Sequence, residues 1–145
     1  MSGLQRFMRR ARDQRGAALV EFALVSIVFF TIVFGIMEFG RMIFDYNIVS
    51  TVARDGARWA SVRGSTSGHA ASVLDVQTYV ASRSVGLLTP SDVTPTWPDP
   101  GAGPPNAAGK TVHVNARYTF APIILVLLPS TARTLSSTAT MVIVR

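Results

Sequence analysis

The chain contains no cysteine and only two histidines. The first absence removes disulfides and thiolate metal sites, and it is compatible with an oxidising compartment without requiring one. His69 and His113 have no neighbouring ligand repeat, so no metal centre is expected. Beyond the apolar run, Asp75, Asp92 and Asp99 are scattered without paired spacing. A nucleophile elbow, a phosphate-cradling glycine loop and a Cys/His arrangement are missing too. The sequence thus predicts a protein that is not an enzyme, carries no cofactor and has no small-molecule substrate. No motif in it marks a ligand pocket.

A net charge of +6 suggests nucleic acid at first sight, but the charge is badly placed for that. Arg6, Arg9, Arg10, Arg12 and Arg15 against Asp13 leave +4 in the segment 1–16. The segment 17–145 carries nine basic and seven acidic groups, so it contributes only +2. No later basic stripe interleaves with aromatics, and no nucleic-acid partner is expected. Arginines packed directly before an apolar run are an orientation signal that stays on the cytoplasmic side.

That run is the main concentration of apolar residues in a chain of 145, enough for one anchor and one small domain. Phe22 to Met37 is an unbroken uncharged stretch in which eleven side chains are Leu, Ile, Val or Phe. As a helix, Ala17 to Met37 is about 31 Å long, against a hydrocarbon core of about 30 Å. The eleven strong apolar side chains favour insertion by roughly 3 to 7 kcal/mol, whereas even a central Glu costs at most about 3. Glu21 lies near the cytoplasmic end, where the cost is smaller, so insertion wins. A removable secretory signal has a shorter apolar region and a small-x-small cleavage site. Here Gly35-Ile36-Met37-Glu38-Phe39-Gly40-Arg41 follows instead. The helix is therefore expected to be retained, with residues from about Arg41 onward outside the cytoplasm.

Arg15-Gly16-Ala17-Ala18-Leu19-Val20-Glu21-Phe22 combines a basic leader, a glycine at the junction and a lone carboxylate opening the helix. An intramembrane carboxylate needs a partner. This segment resembles the processing site of type IV-pilin-like proteins, and more closely that of the TadE-like family of Tad (Flp) pilus systems. The resemblance implies cleavage after Gly16 by a separate prepilin peptidase, which removes the five leader arginines and creates an α-amine on Ala17. It also implies that Glu21 registers subunits against such an amine, with Phe22 completing the motif. The implied partners are the membrane, the peptidase, other pilin-like subunits and the Tad/Flp assembly machinery. The implied location is the bacterial inner membrane, single-pass, with the C-terminal domain extracytoplasmic. Incorporation into an adhesive fibre and residence in the membrane are both compatible with it.

Past the anchor, Glu38, Arg41 and Asp45 share a face at i, i+3 and i+7 and are expected to form a solvated collar, with Phe44 and Tyr46 in an interfacial belt. Val49, Val52, Ala53, Gly56, Ala57 and Ala60 then repeat with helical period. Asn47, Ser50, Thr51, Arg54, Asp55, Arg58 and Ser61 take the other side. Gly64 is expected to cap this helix. The stretch Asn47 to Gly64 also looks like the post-membrane part of TadE-like proteins. Ala70 to Val85 has helical character, with Val73, Val76 and Val80 on one side and Gly86 as the stop.

Pro95 to Gly109 holds five prolines and three glycines and reads as a mobile loop. Val112, Val114, Ala116, Tyr118 and Phe120 alternate with polar residues as in a half-buried strand. Leu135 to Val144 reads as a closing strand, and a short strand near Val93 to Trp97 is expected to join them. The short apolar run Ile123 to Leu128, bracketed by Pro122 and Pro129, cannot span a bilayer. It is expected either as a buried connection over the sheet edge or as an exposed docking patch. By resemblance, a proline-bounded apolar segment between two strands is frequent in the family.

The expected fold class is a membrane-anchored α+β protein. It has a long N-terminal helix, half transmembrane and half amphipathic, a second short helix and a small antiparallel sheet of about three strands. The expected divisions are a leader at 1–16, a transmembrane helix at 17–40, its extramembrane continuation at 41–64 and an α+β domain at 65–145 with the loop at 95–109. In function the chain resembles a minor pilin or pseudopilin. The segment 17–145 left after cleavage suits an assembly role better than that of a Tad major subunit, which is typically far shorter. Two alternatives stand beside it: a type II secretion-like pseudopilin, in which a bulkier residue than Ala17 usually follows the glycine, and an unprocessed signal-anchored periplasmic binding or sensing domain.

Overall fold

The computed structural model describes residues 3–123 and 132–144, with side chains described from Gly16 onward. Helix α1 runs Gly3–Ser61 and helix α2 Val73–Arg83, followed by a 3₁₀ turn at Pro90–Asp92. Strands β1 (Val93–Thr96), β2 (Thr111–Phe120) and β3 (Arg133–Val142) form one antiparallel sheet in the order β1-β2-β3. The chain divides between Gly40 and Arg41 into two compact units. The described residues of the first are all helical; the second holds the remainder of α1, α2 and the sheet. The architecture is the expected α+β one, with a long apolar N-terminal helix, a short second helix and three strands.

In the second unit, α1 buries the face that its periodicity predicts. Val49, Val52, Ala53, Ala57 and Ala60 pack with Val76 and Val80 of α2 and with Val93, Val112, Val114, Ala116, Ala139 and Ile143 of the sheet and its C-terminal extension. Gly56 is buried in the same face. A Cβ there would stand 2.3 Å from Val80 Cγ2 and 3.4 Å from Val114 Cγ1, so only glycine lets α1, α2 and β2 meet this closely. Ser50 and Ser61, assigned to the solvated side, are buried. Serine is small enough to sit at the margin of a core, and the Ser61 hydroxyl is satisfied by Arg58 O at 2.8 Å.

The α1 helix ends at Ser61, and Gly64 is not its cap: it has no positive φ and instead accepts from Ser67 N–H (3.1 Å) and Oγ (2.7 Å) in the following turn. Helix α2 starts later than its apolar spacing suggested because Ser72 caps it. Ser72 Oγ accepts from Asp75 N–H (3.2 Å), while Asp75 Oδ2 accepts from Ser72 N–H (3.0 Å) and Oγ (2.7 Å). These bonds, from the Ser72 hydroxyl and then its backbone, hold the Asp75 carboxyl below the usual carboxylate range. Val76 and Val80 are buried, whereas Val73, expected beside them, is half exposed in the first turn. The helix stops at Arg83, just ahead of Gly86, through two successive left-handed residues, Val85 (φ 55°) and Gly86 (φ 80°). Ser84 is fully buried under this tip: its Oγ donates to Ala81 O at 2.7 Å and accepts from Leu88 N–H at 3.0 Å.

Stacked rings link the end of α1 to α2. Trp59 lies on Tyr79 with centroids 4.9 Å apart and planes at 19°; the Arg63 guanidinium sits 4.1 Å from the Trp59 ring and that of Arg83 5.4 Å from Tyr79.

The β2 strand alternates as its sequence predicts, with Val112, Val114 and Ala116 buried toward the helices. Thr138 of β3 faces Asn115, whose Nδ2 donates to its Oγ1 at 2.7 Å. Pro95, in β1, faces Val114; an edge strand tolerates proline because its missing N–H need not point into the ladder. The proline- and glycine-rich stretch beyond it is a loop, but one fastened at several points, which overturns the simple mobile reading. Asp99 Oδ2 accepts from both the backbone N–H and the hydroxyl of Thr111. Asn106 O accepts from Ser65 N–H at 3.0 Å, and Gly109 N–H donates to Ile143 O at 2.8 Å. The Thr111 hydroxyl, then its N–H, hold the Asp99 carboxyl below the usual range, with smaller help from His113 and Lys110. Of the apolar run Ile123 to Leu128, only Ile123 is among the described residues, and it is exposed; the rest lies outside them.

Candidate functional site

The N-terminal unit displays what the apolar pattern implies. Within α1 the residues from Gly16 form one helix long and apolar enough to cross a membrane, and none of its most apolar stretch is buried by protein. Phe22, Ile27, Val28 and Ile36 are each more than half exposed, as they would be in a helix that crosses a bilayer. The polar atoms of this stretch are managed locally. Thr31 Oγ1 donates to Ile27 O at 2.7 Å, one turn back, so its hydroxyl needs no external partner. Phe30 and Phe34 stack along one side with centroids 6.0 Å apart.

At the front of this helix lie the junction residues. Gly16 is helical and exposed; it has no positive φ, and a Cβ on it would meet nothing within 4 Å. Neither backbone conformation nor packing therefore calls for glycine, which costs a helix interior about 1 kcal/mol relative to alanine. Gly35 and Gly40 share this open environment. Ala17 and Glu21 stand four positions apart in the same helix, on one face and one turn from each other. Glu21 and Phe22 are exposed, and no other described side chain pairs with Glu21. The leader arginines Arg6, Arg9, Arg10, Arg12 and Arg15 are helical in backbone, and their side chains lie outside those described.

Where α1 enters the second unit, Arg41 is fastened to the end of β2. Arg41 Nη2 donates to Ala121 O at 2.6 Å, and its guanidinium carbon lies 4.6 Å from the centroid of the Phe120 ring. Asp45, one turn further, is only 8% exposed. The fully solvated collar expected here is thus not what these two residues make: Asp45 is buried, and Arg41 is half-buried with its guanidinium against the end of β2. Phe44 is largely and Tyr46 about half exposed, which suits an interfacial position. Periodicity within one helix contained no signal for this contact, since it depends on where a strand 80 residues later terminates.

No group of three or more metal-ligating side chains comes together among the described residues. The architecture defines a class: a small α+β protein whose N-terminal helix is a candidate membrane span. Residues 16–58 match the sequence model of the TadE-like protein family, the family that the Arg15–Phe22 segment resembles. The match begins at Gly16 and ends at Arg58, so it takes in the apolar and amphipathic parts of α1 and stops short of α2 and the sheet. The match covers less than a third of the chain. No curated protein and no solved structure matches the chain.

Proposed function

We propose that this protein is a prepilin of the TadE-like kind, a minor pilin or pseudopilin that takes part in assembling a Tad pilus. A prepilin peptidase cuts it after Gly16. The leader stays cytoplasmic, the helix from Ala17 spans the inner membrane, and the α+β domain lies on the far side. The reading rests chiefly on one observation: Gly16 is a helical glycine that neither conformation nor packing requires, standing five positions before a lone carboxylate at the head of an apolar helix. A requirement outside the fold, the narrow site of a peptidase, accounts for it. Cleavage would put a cationic amine on Ala17, one helical turn from Glu21, either in the same chain or beside the Glu21 of a neighbour. The leader arginines supply the orientation signal and are then discarded.

The test is intact-mass measurement of the protein extracted from membranes of cells that express the pilus system. The expected product begins at Ala17. Gly16→Ala should accumulate at full length in the membrane. A Gly16→Ala protein that is still trimmed to Ala17 would remove the cleavage assignment.

A further inference from the structure

The bond between Gly16 and Ala17 lies inside a helix, because α1 runs Gly3–Ser61 without interruption. In that conformation the carbonyl of residue 16 accepts from the N–H of residue 20. Gly16 and Val20 are therefore acceptor and donor of the hydrogen bond that covers this carbonyl. Both are weak helix formers, glycine for its freedom and valine for its β-branch. Gln14, Arg15, Ala17, Ala18, Leu19 and Glu21 around them are strong ones. Packing accounts for neither choice. A Cβ on Gly16 would meet nothing within 4 Å among the described residues, and Val20 is 61% exposed. The location matters as well. Gly16 stands where the arginine-rich leader meets the apolar run, so backbone groups released there can turn to water. Gly35 has equally open surroundings but lies within the apolar run, where lipid offers released groups no partner.

We propose that the prepilin peptidase acts on a locally opened form of α1, and that Gly16 and Val20, the two ends of one hydrogen bond, set how readily that turn opens. The inference rests on the cleavage after Gly16 given above. Hydrolysis adds water across the Gly16–Ala17 bond: the oxygen joins the Gly16 carbonyl carbon, the C–N bond breaks and a proton passes to the Ala17 nitrogen. While the helix is closed, the carbonyl oxygen is tied to Val20 N–H and the carbonyl is packed against the next turn. Donors that stabilise the developing oxyanion need that oxygen free. Opening the single turn from residue 16 to residue 20 releases it and leaves the helix on both sides in place. The glycine thus has a second use besides its small size: it loosens the helix at the turn that must unwind.

The experiment measures two rates on the full chain in phospholipid nanodiscs. One is release of the product beginning at Ala17 by a purified prepilin peptidase at sub-saturating substrate, followed by intact mass. The other, without the peptidase, is hydrogen exchange of the residue 20 amide, corrected for its intrinsic rate. Ala18→Gly, inside the turn that the bond closes, should raise both rates about fivefold. Val20→Ala should lower both about threefold, and the double variant should lie between the two. Gly35→Ala, outside the turn, should be cut at the wild-type rate. Gly16 is kept in every variant, so the width of the peptidase site stays constant. Cleavage rates that fail to follow amide exchange, or a slowed Gly35→Ala, would overturn the opening step while leaving the processing site standing. A wild-type chain that is never cut after Gly16 would overturn the processing reading itself, and this inference with it.

Discussion

Gly56 of α1 and Val80 of α2 approach so closely that a single added carbon on the glycine would stand 2.3 Å from the valine Cγ2. Overpacking a core costs about 1–3 kcal/mol, more than the roughly 1 kcal/mol of helix propensity that alanine would contribute. Gly56→Ala should therefore lower the melting temperature of the folded domain. Adding Val80→Ala should restore part of the loss, because the two changes share one contact and will not be additive. Thermal unfolding of both variants, followed by circular dichroism, checks this; equal stability of Gly56→Ala and wild type would contradict the packing.

Glu21→Ala should insert in the membrane at least as well as the wild type, because it removes a polar group from the head of an apolar helix. Pilus assembly should nevertheless fail, since the proposed amine loses its partner. Membrane fractionation and electron microscopy of the same cells read the two outcomes separately, and wild-type pili from this variant would eliminate the pairing role.

Asp75 and Asp99 both have carboxyl groups held below their usual range by hydroxyl and backbone donors. For a depressed folded pKa, the stabilisation is present above the unfolded value, near about 3.9, and is lost as pH falls through the folded value. Stability should be insensitive to these groups at neutral pH and decline below about pH 4. In Asp99→Asn this acid decline should be shallower and stability at neutral pH lower, as urea titrations at several pH values would show. An unchanged acid limb would mean that the Thr111 contacts contribute nothing.

Val85 is a β-branched residue at φ 55° with 89% of its surface exposed. Its conformation is one that L side chains avoid, at a cost of about 1–2 kcal/mol. Val85→Gly should stabilise the domain by up to about 1 kcal/mol, the gain being reduced by the greater freedom of glycine in the unfolded chain. A measured loss would show that the side chain makes a contact its exposure does not suggest.

Much of this fold was legible because it rests on local regularities. The apolar run, the helical repeat from Val49 to Ala60 and the strict alternation of β2 each carry their own signal. What misled was small or polar and decided by tertiary contact. Ser50, Ser61 and Asp45 looked solvated because of their chemistry, yet lie buried where other elements arrive. Val73 matched the apolar spacing of α2, but the Ser72–Asp75 cap placed it in an exposed first turn; the pattern Ser-x-x-Asp held that information. At the junction, sequence supplied both Gly16 and Glu21, and the structure added that no packing explains the glycine. A groove beside Trp59 was not legible at all, because its lining comes from the end of α1, the connection after it and α2, which meet only after folding.

The buried Ser84 bracket has a practical corollary. By tying Ala81 and Leu88 together, it pins both ends of the exposed Val85–Gly86 bend. A short epitope or fluorophore-binding peptide spliced into that bend would be carried as a passenger, offering a handle for following the molecule in living cells without touching either terminus.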